Sequence, residues 1–204
     1  MNKFKRYRLA AIARIRNARK PRAYRLWATI ASFSLALIFT LVAAHAQGQE
    51  PFRFNLVPAT DAIGACLPNA SAKVTIFPKE ETLGVDTLDL KTNGLQPNTT
   101  FAVFLTELPV APFGAVQYIG DFTTNEAGRG SLRVDSIIQE AFSSQVFNGQ
   151  RSRKELNHVV FWFADPDADE SCVPGSAPTP FDGDGVAGVA AMSSKNLLPG
   201  APLP

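Results

Sequence analysis

The stretch from Leu88 to Val134 reads LDLKTNGLQPNTTFAVFLTELPVAPFGAVQYIGDFTTNEAGRGSLRV, and it constrains the fold more than any other part of the chain. Apolar and polar residues alternate at Leu88/Leu90 and again at Leu132/Val134. That period belongs to strands with one buried face and one wet face. Between the runs stand QPNTT, a proline-rich connection and NEAGRG. Asn and Gly supply positive φ there, and Pro presets φ near about −65°, which is what tight turns require. Three or four antiparallel strands follow from this pattern.

The flanking segments extend the reading. Ala72 to Phe77 (AKVTIF) alternates and is ended by Pro78, so it predicts another strand. Residues 47–60 hold one edge strand limited by Pro51 and Pro58. Leu156 to Ala164 (LNHVVFWFA) is apolar without alternation, which predicts a central strand buried on both faces. Val186 to Met192 supplies a last strand. Ser136 to Phe147 places Ile137, Ile138, Ala141 and Phe142 at helical spacing, with Ser136 as N-cap, and predicts a short helix. Asp61 to Ala70 and Asn148 to Lys154 read as loops. The expected fold is all-β: an antiparallel β-sandwich of about eight strands with one short helix.

A different object precedes it. Residues 1–46 carry ten Lys or Arg and no Asp or Glu, leaving ten of the chain's 20 basic residues against all 18 acidic ones, a net of −8. Residues 26–44 form an uncharged apolar run of 19, long enough to span a bilayer as a signal or anchor helix. Ala44 and Ala46 put small residues at the −3 and −1 positions of a signal peptidase site, with cleavage before Gln47. The expected organisation is an export signal over 1–46 and one secreted domain over 47–204. The alternative is a membrane-anchored protein held by residues 26–44. An apolar run with no nearby Cys and no preceding Arg-Arg pair argues against lipoprotein and twin-arginine export. A domain at −8 repels nucleic acid and anionic lipid, so the only membrane contact expected is through the N-terminal segment.

The domain has two cysteines, Cys66 and Cys172. An even count in an oxidising compartment predicts one disulfide across a long loop. Asp165 to Gly185 (DPDADESCVPGSAPTPFDGDG) is an acidic loop without periodicity, and Cys172 would tie it down. Asp165, Asp167, Asp169 and Glu170 alternate closely enough to converge on calcium, with Asp182 and Asp184 as a second cluster. The EF-hand pattern fails, because no Gly follows Asp169 and the twelfth position from Asp165 is Ser176. A solvated acidic loop is the simpler reading.

His158 is the only histidine beyond residue 46, so a three-histidine zinc or copper site cannot be built. It could join a serine and Asp165 in a hydrolytic arrangement, yet the chain has no G-x-S-x-G elbow. On a central strand the same ring is a core residue with a satisfied hydrogen bond. Carboxylate pairs such as Glu80/Glu81 or Glu107/Asp121 would need a separation of about 5–10 Å for glycosidase work. The sequons at Asn69 and Asn98 matter only in a host that glycosylates exported proteins.

The segment NGLQPNTTFAVFL resembles the E–F corner of fibronectin type III and other immunoglobulin-like modules. Leu95, Pro97 and Thr99 match that pattern, and Phe101 stands where such modules carry the corner tyrosine. The resemblance implies an immunoglobulin-like sandwich and carries no activity with it. GLQPNTTFAVFLTE, GDFTTNEAGRGS and ELNHVVFWFADP together resemble a group of uncharacterised secreted bacterial proteins, which implies export. The expected role is non-catalytic: extracellular structure, or binding of a protein or glycan. A secreted hydrolase using His158 or a carboxylate pair, and a calcium-dependent module using residues 165–184, are the alternatives.

Overall fold

A strand that loses its polar alternation has to be covered on both sides, and Leu156–Ala164 sets the architecture accordingly. The computed structural model describes residues 50–78, 84–181, 185–195 and 203. The export segment with its cleavage residues Ala44, Ala46 and Gln47, and the carboxylates Glu80, Glu81, Asp182 and Asp184, lie outside the described residues. Among the described residues no helix is long and apolar enough to cross a membrane.

The strands are β1 (Phe52–Pro58), β2 (Ser71–Phe77), β3 (Asp86–Asn93), β4 (Thr100–Thr106), β5 (Val116–Thr123) and β6 (Gly130–Ser136), then β7 (Phe142–Phe147), β8 (Gln150–Glu155), β9 (His158–Phe163), β10 (Thr179–Pro180), β11 (Val186–Ala187) and β12 (Ala190–Ser193). One short helix, α1, spans Asp61–Cys66. Eight strands form one antiparallel sheet in the order β5-β4-β9-β12-β1-β2-β3-β6. The sheet nearly closes on itself, since its two end strands meet. A Cβ added at Gly120 of β5 would lie 3.2 Å from Leu132 of β6, and one at Gly130 of β6 would lie 2.5 Å from Phe122 of β5.

The interior follows from the period-two pattern. Phe54, Leu56, Val74, Ile76, Leu88 and Leu90 face Phe101, Val103, Leu105, Phe122, Val159, Phe161 and Phe163 in one buried cluster. β9 lies between β4 and β12, and its alternate residues Val160 and Trp162 face outward into a second cluster with Ala102, Phe104 and Ala190. Phe113 and Phe181, from two loops, cover that outer face. The central strand buried on both faces is therefore present, and the acidic loop supplies part of its cover.

Four expectations need correction, one of them Asn148 to Lys154, which is a two-residue turn running into β8 in place of the expected loop. β1 is not an edge strand, because β2 pairs along one side and β12 pairs with Val57 and Pro58 on the other. The helix lies elsewhere in the chain: Asp61–Cys66 is helical, capped by Thr60 Oγ1 accepting from the Ile63 amide at 3.2 Å, with Ile63 buried beneath it. Ser136 instead ends β6, residues 137–141 make a turn, and β7 follows. The buried Asp86 carboxylate accepts from the amides of Ile138 and Gln139 at 3.0 and 2.9 Å, so these donors are held by a neighbouring strand. β7 then pairs with β8 through Asn148-Gly149, whose φ values of 51° and 74° are those of a two-residue type I′ turn.

Candidate functional site

The acidic loop begins where β9 ends. Asp165 Oδ1 accepts from the Asp167 amide at 2.9 Å and starts a short 3₁₀ turn over Pro166–Asp169. Asp169 is fully buried, and its carboxylate accepts from Ser176 Oγ at 2.9 Å and from the Val189 amide at 2.5 Å. Glu170 receives the Gly175 amide on both oxygens, at 3.2 and 3.1 Å. Three of the four candidate calcium ligands thus accept from four donors, three of them in the loop itself. Asp167 is exposed. Among the described residues, no group of three or more His, Cys, Asp or Glu gathers as a metal site.

The same loop is fastened from outside. Cys66 and Cys172 form a disulfide with Cα atoms 5.3 Å apart, linking the end of α1 to the loop. Gln96 reaches over from the corner, donating to the Ala168 carbonyl at 3.0 Å and accepting from Ser171 Oγ at 3.0 Å. Ala168, Cys172 and Val173 pack onto the inner core. The sequence offered Asp169 as a solvated carboxylate, and nothing local in it signals burial.

His158 begins β9, opposite Thr106 of β4. Its Nδ1 lies 3.1 Å from Ser194 Oγ, which also accepts from the Val159 amide at 3.2 Å. Ser194 is fully buried. Asp165 stands beyond the other end of the strand, roughly 20 Å away at the rise of a β-strand. The structure therefore joins His158 to a serine and leaves Asp165 out. Burial holds the imidazole below its ordinary pKa. A depressed histidine binds fewer protons folded than unfolded, so its contribution to stability is full above the ordinary value of about 6.5 and is lost as pH falls from there through the lower folded value.

The carboxylate pair Glu107/Asp121 does not converge either. Asp121 pairs with Ala102, five residues from Glu107 along β4, or about 16 Å. Glu107 accepts from Lys154 Nζ at 2.9 Å and from the Ala115 amide at 3.1 Å, and these bonds hold its carboxyl below the usual range. Asp121 accepts from Tyr118 Oη at 2.7 Å, which pushes the phenol up to about 12. Both carboxylates are committed to neighbours.

The turn at Leu95–Phe101 is held by threonine hydrogen bonds. Thr124 Oγ1 donates to the Gln96 carbonyl at 2.6 Å and accepts from the Thr99 amide at 3.0 Å. Thr99 Oγ1 donates to the Pro97 carbonyl at 2.9 Å, and Asn98 adopts φ of 52°. On the outer face the Trp162 indole Nε1 is buried with no hydrogen-bond partner among the described residues, enclosed by Phe104, Phe113 and Phe181.

These features define a mostly antiparallel β-domain whose long acidic loop is tied by one disulfide. Compared with known families, curated proteins and solved structures, the chain finds no match.

Proposed function

We propose that residues 47–204 work outside the cytoplasm as a non-catalytic β-domain with a structural or binding role. The observation that carries this reading is the fate of the chemically able side chains. His158, Glu107, Asp121, Asp165, Asp169 and Glu170 each commit at least one polar atom to a bond within the fold. Ser194, the serine nearest the imidazole, has its hydroxyl beneath the surface and shared with a backbone amide. Export rests on the apolar run 26–44 and the Ala44-x-Ala46 site, and a disulfide suits an oxidising compartment.

The immunoglobulin-like likeness belongs to the same proposal. It is supported by the Leu95-Pro97-Thr99 corner, where Thr124 Oγ1 bonds the Gln96 carbonyl and the Thr99 amide.

The test uses His158→Gln in the full chain, with two readouts. Wild type loses thermal stability as pH drops below about 6.5, and the variant loses less over the same range. A serine-directed fluorophosphonate leaves Ser194 unmodified in both proteins. Labelling of Ser194 that vanishes in His158→Gln, with folding intact, would overturn the reading in favour of a hydrolase.

A further inference from the structure

The hairpin β7–β8 stands apart from the eight-stranded sheet: each of its strands pairs with the other and with no further described strand. Its register sets Phe142 opposite Glu155, Ser144 opposite Arg153 and Val146 opposite Arg151, so these six residues share one face. That face is turned to solvent, with Phe142 48% and Val146 60% exposed and the Arg153 guanidinium 3.8 Å from the Phe142 ring centre. On the opposite face Lys154 is half-buried and reaches Glu107 at 2.9 Å, while Gln145 and Ser152 are exposed. The arm is fixed at its base, and its edges are open.

Its charges are divided unequally. Arg151, Arg153, Lys154 and Glu155 all lie on β8, whereas β7 reads FSSQVF and carries no charge, no Pro and no Gly. Natural edge strands guard unpaired backbone groups with charge, proline or a bulge. β8 has that guard and β7 does not. A second β8 laid beside the first would set three cations against three. A second β7 would meet only neutral side chains, with its backbone groups paired and the arginines carried to the outside.

The geometry points to β7 as an interaction edge whose occupant is β7 of a second copy, giving a four-stranded β8-β7-β7-β8 sheet across a two-fold axis. Such a contact is closed and self-complementary, so it yields a dimer and no filament. The hairpin, marginal as a two-stranded unit, gains the extra strands that stabilise a sheet. This inference stands apart from the non-catalytic reading, since a dimer neither requires nor excludes an active site.

The experiment is sedimentation equilibrium of the full chain in density-matched detergent, over a concentration series reaching about 1 mM. Gln145→Lys places a charge on β7. Ser152→Lys places the same charge directly opposite on β8 and serves as the matched control. Wild type and Ser152→Lys show the same concentration-dependent dimer, and Gln145→Lys weakens it roughly fivefold or more with an unchanged circular dichroism spectrum. A wild type that stays monomeric throughout overturns the proposal, and so does equal weakening by both variants. Monomers that bind anionic vesicles through the arm would overturn it as well and give the exposed face to lipid.

Discussion

Removing the disulfide by Cys66→Ser with Cys172→Ser lowers the unfolding free energy by about 4–5 kcal/mol. The two cysteines are 106 residues apart in sequence, so the bond closes a loop of two thirds of the domain and removes much of the freedom of the unfolded chain. In the folded state it joins α1, whose Ile63 is sealed in the core, to the loop segment whose Ala168, Cys172 and Val173 pack on the same core. For a domain of this size the midpoint falls by roughly 10–15 °C. Urea unfolding of the double variant beside wild type measures it. An unchanged midpoint would mean that the loop is held by Gln96 and Asp169 alone.

The second large effect is expected at Phe101. Its fully buried ring packs on Phe122 at 5.4 Å, Phe161 at 5.4 Å and Phe163 at 4.9 Å, where the inner faces of β4, β5 and β9 meet. Phe101→Ala costs about 3–5 kcal/mol, the transfer loss plus a cavity that three fixed aromatic neighbours cannot fill. Phe101→Tyr is the sharper variant. Beside it, Thr124 already bonds the Gln96 carbonyl and the Thr99 amide. The added hydroxyl therefore enters an apolar cluster unpaired, and the substitution costs about 1–3 kcal/mol. A Tyr variant as stable as wild type would mean that the corner offers a free backbone acceptor to a tyrosine.

What could be read from the sequence was what repeats locally. The alternation in β2, β3 and β6 and the unbroken apolar run of β9 gave strands, and the cysteine count gave the disulfide. What escaped was set by residues far apart in sequence. Asp86 takes the amides of Ile138 and Gln139 from 52 and 53 positions away, and this turned a helical-looking spacing into a turn. The Asn148-Gly149 pair was a local signal for a hairpin, outweighed by the apolar spacing that precedes it. Asp169 looked like one more solvated carboxylate, and only the fold brings Ser176 and Val189 around it. Thr60 before Asp61 marked the start of α1, but a six-residue helix has too little periodicity to stand out.

The candidate site divides along the same line. The sequence named polar residues as candidates, and their partners in the fold are what it left open. His158 meets a buried serine, Glu107 meets Lys154, and the loop carboxylates meet backbone amides.

The claim on which this account rests is that the carboxylates of residues 165–170 fold the loop and are not held ready for an ion. Thermal unfolding of the intact protein, run in millimolar calcium and again in chelator, tests it most directly. Coinciding midpoints are the predicted result, because three of the four carboxylates already have donors that calcium would have to displace. A midpoint several degrees higher in calcium, abolished by Asp167→Asn or Glu170→Gln, would contradict the account and make the loop a calcium site.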